Sequence, residues 1–486
     1  MNSLLMFAPL AICFLLVFVG LVCAAVSCFG LRKTRTAGAR RHGQATQPPL
    51  LPRATQPAGA SFGCRTLCLK CLLALGLGTL AVGLLGAWTT RMSVGYDRNP
   101  ASEWSDGRAP GLEPLIRKHC APFLNRGQMV GLAVAVVTPT NATIMTFGHP
   151  SLGSGAQTGA DTLFEIGSIT KTFTALVLAR QIEQGNVRLE QPVQELLPPG
   201  VELPEAARGI TLRHLTTHTS GFPRMPAGWS PLRGIGSLLF GSDPYAAYTQ
   251  TDLLADLRTI KLNSKPGTRS SYSNFGMILL GYLLATEAHS GYEALVKREV
   301  CLPLGMKDTT VTPQPNQAAL AAQGYRALLR CGPLVLALRS APWLEGNPLG
   351  GAGALRSTAT DMLKYLQANM HPKGQPIEHA IEVSHQVLFK EDDHTAFCMN
   401  WIRVQSKRLK QPMVWHNGGT GGFRSFLGFT ADSRFGVLVL SNSTEDVDGL
   451  AIALLGELVN PPASPARPSV GSSSPKPASP ANTNQS

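Results

Sequence analysis

Two long uncharged runs constrain what this chain can fold into. Leu4 to Gly30 carries no charged residue, and neither does Cys71 to Trp88. Each is long enough to cross a bilayer core, which takes about 20 apolar residues in a helix. Between them lie Arg32, Lys33, Arg35, Arg40, Arg41, Arg53 and Arg65, with no acid among them. Short basic loops stay on the cytoplasmic side of a membrane. The expected arrangement is a first span at 1–30, a cytoplasmic basic loop at 31–66 and a second span at 67–90. Everything after the second span then lies in an extracellular or lumenal compartment. Two rivals remain open. One is a signal peptide at 1–28, against which the n-region's lack of Lys and Arg counts. The other is a single span at 71–88 behind a segment that lies on the membrane. The basic loop also accounts for about half of the net charge of +13. With that excess in one short loop and no nucleic-acid motif, nucleic acid is excluded as a partner.

Residues 91–110 read as a linker, 111–459 as the folded domain, and 460–486, rich in Pro, Ser and Ala, as a disordered tail. In the domain, Gly131 to Val137 is an apolar, β-branched run. A turn at Pro139-Thr140-Asn141 leads into a return strand from Ala142 to Phe147. Residues 175–380 read as mostly helical with Gly/Pro-rich connections. Short apolar runs return at Ala396–Val404, Pro412–His416, Phe423–Thr430 and Gly436–Ser441, before a closing helix at Glu445–Leu458. The fold class is therefore α/β in the mixed, α+β sense: an antiparallel sheet split by a helical insertion. Asn141-Ala142-Thr143 and Asn442-Ser443-Thr444 are glycosylation sequons, which suit an extracytoplasmic domain. Cys120, Cys301, Cys331 and Cys398 allow three disulfide pairings, or stand as buried thiols.

The candidate chemistry begins at Phe164-Glu165-Ile166-Gly167-Ser168-Ile169-Thr170-Lys171. Ile169, Phe173, Leu176 and Val177 recur at helical spacing, so Ser168 sits at the first turn of an amphipathic helix. Lys171 shares its face. A serine hydroxyl becomes a nucleophile when a neighbouring base takes its proton, and a lysine amine serves if burial or nearby cations lower its pKa. Alone, Ser-x-x-Lys also fits a capping serine followed by a surface lysine. Two later stretches add to it. In Tyr272-Ser273-Asn274 the tyrosine suits proton relay if cations lower its pKa, and Asn274 suits orienting Lys171 or a substrate amide. In His416-Asn417-Gly418-Gly419 the glycines let a substrate approach the backbone, whose amides suit an oxyanion hole. His416 would supply a positive or hydrogen-bonding edge. The Pro-rich stretch Phe222–Asp243 reads as a loop bordering the site or as a plain surface insertion. His214 and His218 read as structural. No histidine–aspartate cluster suits zinc, and no cofactor is implied.

The ordered set Ser168-x-x-Lys171, Tyr272-Ser273-Asn274, His416-Asn417-Gly418 resembles the serine β-lactamase and penicillin-binding-protein superfamily. The likeness is to its class C-like branch of D-peptidases and esterases, and within it to the animal β-lactamase-like proteins. Leu212 to Gly221, Pro303 to Thr309 and Gly350 to Ala359 add to it. The resemblance implies a five-stranded antiparallel sheet flanked by helices, with an all-helical subdomain inserted. It implies Ser168 as acylated nucleophile, Lys171 and Tyr272 as proton-transfer partners, and Asn274, His416 and Gly418 as substrate-binding. The backbone amides of Ser168 and Gly419 would form the oxyanion hole. The expected substrate is a small molecule or a peptide. One departure stands out: the lactamases proper carry Lys-Thr-Gly where this chain has His416-Asn417-Gly418, which argues against antibiotic degradation. A catalytically silent scaffold on the same fold is the rival reading. Nothing in the sequence fixes the oligomeric state.

Overall fold

The computed structural model describes residues 92–96, 103–125, 130–226, 241–331, 334–343 and 350–461. The expected spans, the basic loop and the tail beyond residue 461 lie outside these residues. Among the described residues no helix is long and apolar enough to cross a membrane.

The main sheet has nine strands, in chain order β1 (Glu103–Ser105), β2 (Gly131–Val137), β3 (Ala142–Gly148), β4 (Phe389–Lys390), β5 (Thr395–Phe397), β6 (Ile402–Ser406), β7 (Gln411–Gly419), β8 (Arg424–Thr430) and β9 (Gly436–Ser441). Their spatial order is β1-β3-β2-β9-β8-β7-β6-β5-β4, antiparallel throughout. The five expected strands correspond to the long central ones, β3, β2, β9, β8 and β7. One short strand extends them at one edge and three at the other, where the run expected at Ala396–Val404 is broken into β5 and β6 by the turn at 398–401. The hairpin turn after Val137 has the expected register, with Val137 opposite Ala142.

Period-two alternation divides the central strands between two cores. Ala133, Ala135, Leu427, Leu438 and Leu440 face one apolar cluster. Leu132, Val134, Val136, Phe426, Val437 and Val439 face the other. Strands buried on both faces have no polar side, which is why they read as continuous apolar runs. The second cluster is closed by helices α1 (Glu113–Asn125) and α5 (Asp448–Val459), through residues such as Ile116, Leu450 and Leu454. The first is filled by α2 (Thr170–Glu183), α3 (Asn274–Glu287) and α4 (Ala359–Met370). Helix α2 departs from expectation. Every residue from Thr170 to Ala179 is buried, so it is a core helix and not an amphipathic one.

Two other expectations are corrected. The supposed linker carries two strands, β1 and Met92–Tyr96. The latter joins a separate three-stranded sheet with Leu334–Arg339 and Tyr325–Cys331, inside the stretch read as helical. Its partner register, Met92 opposite Leu338, spans most of the domain, and no local pattern announces so distant a pairing.

The second correction concerns the sequons. Asn141 is exposed at the hairpin turn, but Asn442 is fully buried. Its Oδ1 accepts the Gly131 amide at 2.7 Å, and its Nδ2 donates to the carbonyls of Pro150 at 3.0 Å and His149 at 3.3 Å. The nitrogen that would carry a glycan is enclosed and spent on the fold. Cys120, Cys301 and Cys398 are buried free thiols, and the Cys331 side chain lies outside the described set. Replacing Asn442 by Ala should leave the buried Gly131 amide without its acceptor and take one donor from the His149 carbonyl, while the Pro150 carbonyl keeps the Gln323 amide, at a cost of roughly 2 kcal/mol of unfolding free energy, read by chemical denaturation. An Asn141→Gln variant should lie within about 0.5 kcal/mol of the parent.

Candidate functional site

The site forms where the entry to α2 meets the end of β7. Gly167–Ile169 makes a single 3₁₀ turn that runs directly into α2, and Ser168 sits in that turn. Gly167 has φ of +50°, and a Cβ there would lie 2.6 Å from the Gly419 nitrogen. A Cβ on Gly418 would lie 2.1 Å from the Ile166 carbonyl oxygen. Two backbones this close admit only glycine at these positions. Ser425 Oγ, on β8 opposite Gly418, donates to the same Ile166 carbonyl at 2.8 Å and locks the contact. The result sets the Gly419 amide beside the Ser168 turn, the arrangement an oxyanion hole needs.

Lys171 is wholly buried. Its Nζ lies 3.0 Å from Ser168 Oγ and donates to the Ala352 carbonyl at 2.6 Å. Among the described residues no carboxylate pairs with it. Burial first, and the Arg224 charge second, hold its pKa well below the ordinary lysine value. An amine in that state can take a proton from a hydroxyl.

Tyr272 stands beside this pair, its ring centroid 4.8 Å from Lys171 Nζ and 5.0 Å from the Arg224 guanidinium carbon. The expectation that cations lower its pKa is reversed in balance. Burial pushes it up to about 12, while a hydrogen bond with Ser168 and the Arg224 charge pull back. Tyr272 therefore rests as a phenol, ready to donate.

Asn274 opens α3 just past Ser273, whose side chain caps the helix by accepting the Gly276 amide at 2.9 Å. Asn274 Nδ2 donates to the Tyr245 hydroxyl at 3.1 Å, and its Oδ1 is buried with no partner among the described residues. It makes no bond to Lys171, whose orienting acceptor is Ala352. The free Oδ1 suits a substrate N–H.

His416 is also buried, with Nδ1 2.6 Å from the Asn417 carbonyl. A carbonyl only accepts, so Nδ1 carries the proton and Nε2 is the acceptor. Burial, then the Lys171 charge, lower its pKa to about 3 against the pull of the Asn417 carbonyl. The expected positive edge is thus a neutral one. Asn417 turns the other way and donates to Asp448 at 2.6 Å.

The structure gathers Ser168, Lys171, Tyr272, Asn274, His416, Gly418 and Gly419, and adds two groups the motifs do not contain. The Ala352 carbonyl comes from a 3₁₀ turn in the Gly-rich stretch at 350. Arg224 comes from the start of the Pro-rich loop, where its own carbonyl accepts the Asn274 and Phe275 amides at 2.9 and 3.3 Å. The rest of that loop, 227–240, lies outside the described residues. Among the described residues no group of three His, Cys, Asp or Glu side chains could hold a metal ion.

A serine in a turn, a buried amine on its hydroxyl, a tyrosine and a facing Gly-rich strand define a serine hydrolase that works by acyl transfer. The chain belongs to the beta-lactamase family, whose model matches residues 116–459. It is 25% identical over 323 residues to the D-alanyl-D-alanine-carboxypeptidase/endopeptidase AmpH of Escherichia coli (strain K12), covering 64% of this chain and 78% of that one. It is 25% identical over 364 residues to a beta-lactamase of Pseudomonas fluorescens, covering 69% and 94%. Among solved structures, a beta-lactamase/D-alanine carboxypeptidase from Yersinia pestis superposes with a TM-score of 0.60 at 24% identity, over 71% of this chain and 99% of that one.

Arg224 gives the site a tunable base. Its charge lowers the Lys171 pKa, and the free amine is present above that pKa. Arg224→Ala should therefore move the acid limb of the pH–acylation profile to higher pH. Added salt should shrink the difference between variant and parent, because Arg224 is exposed and screened. The check is the rate of Ser168 modification against pH at two ionic strengths.

Proposed function

We propose that the chain is a membrane-anchored hydrolase that cleaves an amide or ester through an acyl-Ser168 intermediate. The substrate class is peptide-like or small acyl, in keeping with the carboxypeptidase and beta-lactamase relatives. The observation that carries the reading is Lys171 Nζ, buried and 3.0 Å from Ser168 Oγ, with no acid among the described residues to keep it charged.

Lys171 takes the Ser168 proton as Oγ bonds to the substrate carbonyl carbon. Charge develops on the carbonyl oxygen, and the amides of Ser168 and Gly419 bind it. The tetrahedral adduct collapses, the C–N or C–O bond breaks, and the Tyr272 phenol gives its proton to the leaving amine or alkoxide. The Lys171 ammonium returns a proton to Tyr272. Water then adds to the acyl carbon, yielding its proton to the same amine–phenol pair. Ser168 leaves, is reprotonated, and the acid departs. Asn274 Oδ1 and the His416 Nε2 acceptor hold substrate N–H groups meanwhile. The neutral His416 where lactamases proper carry lysine supports a substrate other than an antibiotic.

The apolar runs on either side of the basic loop support a membrane anchor, with the domain extracellular or lumenal and the loop cytoplasmic. The exposed Asn141 suits that compartment.

A fluorophosphonate probe on the full chain in detergent tests the chemistry. Intact mass should show one adduct on the parent and none on Ser168→Ala. A folded parent that takes no label would replace the hydrolase reading with the silent scaffold. In intact cells, protease added outside should remove the domain, and peptide-N-glycosidase should shift the parent but not Asn141→Gln. Digestion from the cytosolic side alone would overturn the topology.

A further inference from the structure

The two histidines of the loop before Phe222 do different work. His214 caps its own short helix, its Nδ1 accepting the Thr211 amide at 3.0 Å. His218 reaches across to the tyrosine segment. Its carbonyl accepts the Ser271 amide at 2.8 Å, and its Nδ1 accepts the Ser273 amide at 3.2 Å. Those are the two amides on either side of Tyr272. Its ring lies against the Tyr272 ring, centroids 4.5 Å apart and tilted by 37°.

Three further observations bear on the role. His218 has φ of +57°, a left-handed conformation uncommon outside glycine, in which His, like Asn and Asp, is enriched. Such strain persists when surrounding contacts over-determine it, and it clusters at functional sites. The residue is only 3% exposed, so it is spent on the interior. Because Nδ1 accepts from an amide, the proton sits on Nε2, which is buried without a partner among the described residues. Burial, first, holds the ring neutral, with the nearby Arg224 charge acting the same way, and so keeps Nδ1 free to accept.

We propose that His218 is the positioning residue for Tyr272: its carbonyl and Nδ1 clasp the amides flanking the tyrosine, and its ring braces the phenol beside Ser168 and Lys171. The inference rests on Tyr272 acting in proton transfer during acylation. A proton donor displaced by an ångström loses on the order of 10²-fold in rate. Among the described residues His218 makes no hydrogen bond to the nucleophile or the oxyanion amides, so it acts through the tyrosine segment, and the Tyr272→Phe background isolates the part that passes through the phenol.

The test is a double-mutant cycle on the full chain in detergent, read by the rate of fluorophosphonate labelling of Ser168. His218→Gly keeps the left-handed backbone and the carbonyl but removes Nδ1 and the ring. It should slow labelling about 10²-fold in the parent and by less than about 3-fold in the Tyr272→Phe background, where there is no hydroxyl left to position. His218→Asn supplies an acceptor at the same bond count as Nδ1 and tolerates the backbone, so it should label within about 10-fold of the parent. Equal losses in both backgrounds, parent-like labelling by His218→Gly, or failure of Asn to rescue a folded variant would each overturn the assignment. Should melting show that the glycine variant does not fold, the cycle is run with His218→Asn. Its missing ring predicts a loss of several-fold, about 5, that vanishes beside Tyr272→Phe, and an undiminished loss there overturns the clasp. A parent that takes no label overturns the hydrolase reading itself, which separates that failure from this one.

Discussion

Lys171 places an amine in the buried first turn of a core helix, with no carboxylate among the described residues to neutralise it. A charged group moved out of water without a partner is among the costliest events in folding, and the usual escape is to give up the charge. The surroundings of Lys171 leave that route open. The Ala352 carbonyl takes one of its N–H groups, and Ser168 Oγ meets it at hydrogen-bond distance. A neutral amine needs no more than this. The other polar groups nearby follow suit. His218 and His416 are both held neutral chiefly by burial. A permanent cation, Arg224, is kept at the exposed rim, where water and salt share its field.

A second constraint fixes where this amine acts. The turn holding Ser168 and the end of β7 touch backbone to backbone at Gly167, Gly418 and Gly419. That contact joins the helical layer to the sheet, so the nucleophile comes from one and the facing amide from the other. Ser425 ties both together from the neighbouring strand. Catalytic geometry here is a property of the seam between layers, and is as rigid as their packing. Tyr272 is held separately. It precedes α3, and its segment is bonded to two loop stretches, through His218 and through the carbonyls of Pro223 and Arg224.

How much of this was legible in the chain follows from the range of each signal. The central strands were legible because runs such as Gly131–Val137 and Gly436–Ser441 are long, β-branched and bounded by turns. The run at Ala396–Val404 was legible as strand but not its break into β5 and β6, and β1, β4 and the Met92–Tyr96 pairing were not, because two to five residues carry no period. The motif residues Ser168, Lys171, Tyr272 and Asn274 could be named as candidates, since helix spacing and side-chain chemistry are local. Their protonation states could not. The rise of the Tyr272 pKa and the fall of the His416 pKa depend on which atoms exclude water, and that is settled by packing between distant segments. For the same reason α2 read as amphipathic. Its threonines, Thr170 and Thr174 on one side and Thr172 on the other, are satisfied inside the core by the Leu355 amide and by Tyr365, Tyr292 and Gly351.

The paired cases of Asn141 and Asn442, and of His214 and His218, carry one argument. Each pair shares a residue type, and each shares a local context, a sequon or one loop. In each, one member looks outward or serves its own helix, and the other holds together strands or loops far apart in sequence. Asn442 joins β9 to the start of β2 and to the loop after β3. His218 joins its loop to the tyrosine segment. A short motif states what a side chain is able to bond. The fold decides which partners arrive, and a buried polar group must bond whatever arrives or forfeit its desolvation energy. Structural and catalytic polar residues therefore cannot be separated by type or by motif. They separate by what stands on the far side of the hydrogen bond: for Asn442 it is plain backbone, and for His218 it is the backbone on either side of Tyr272.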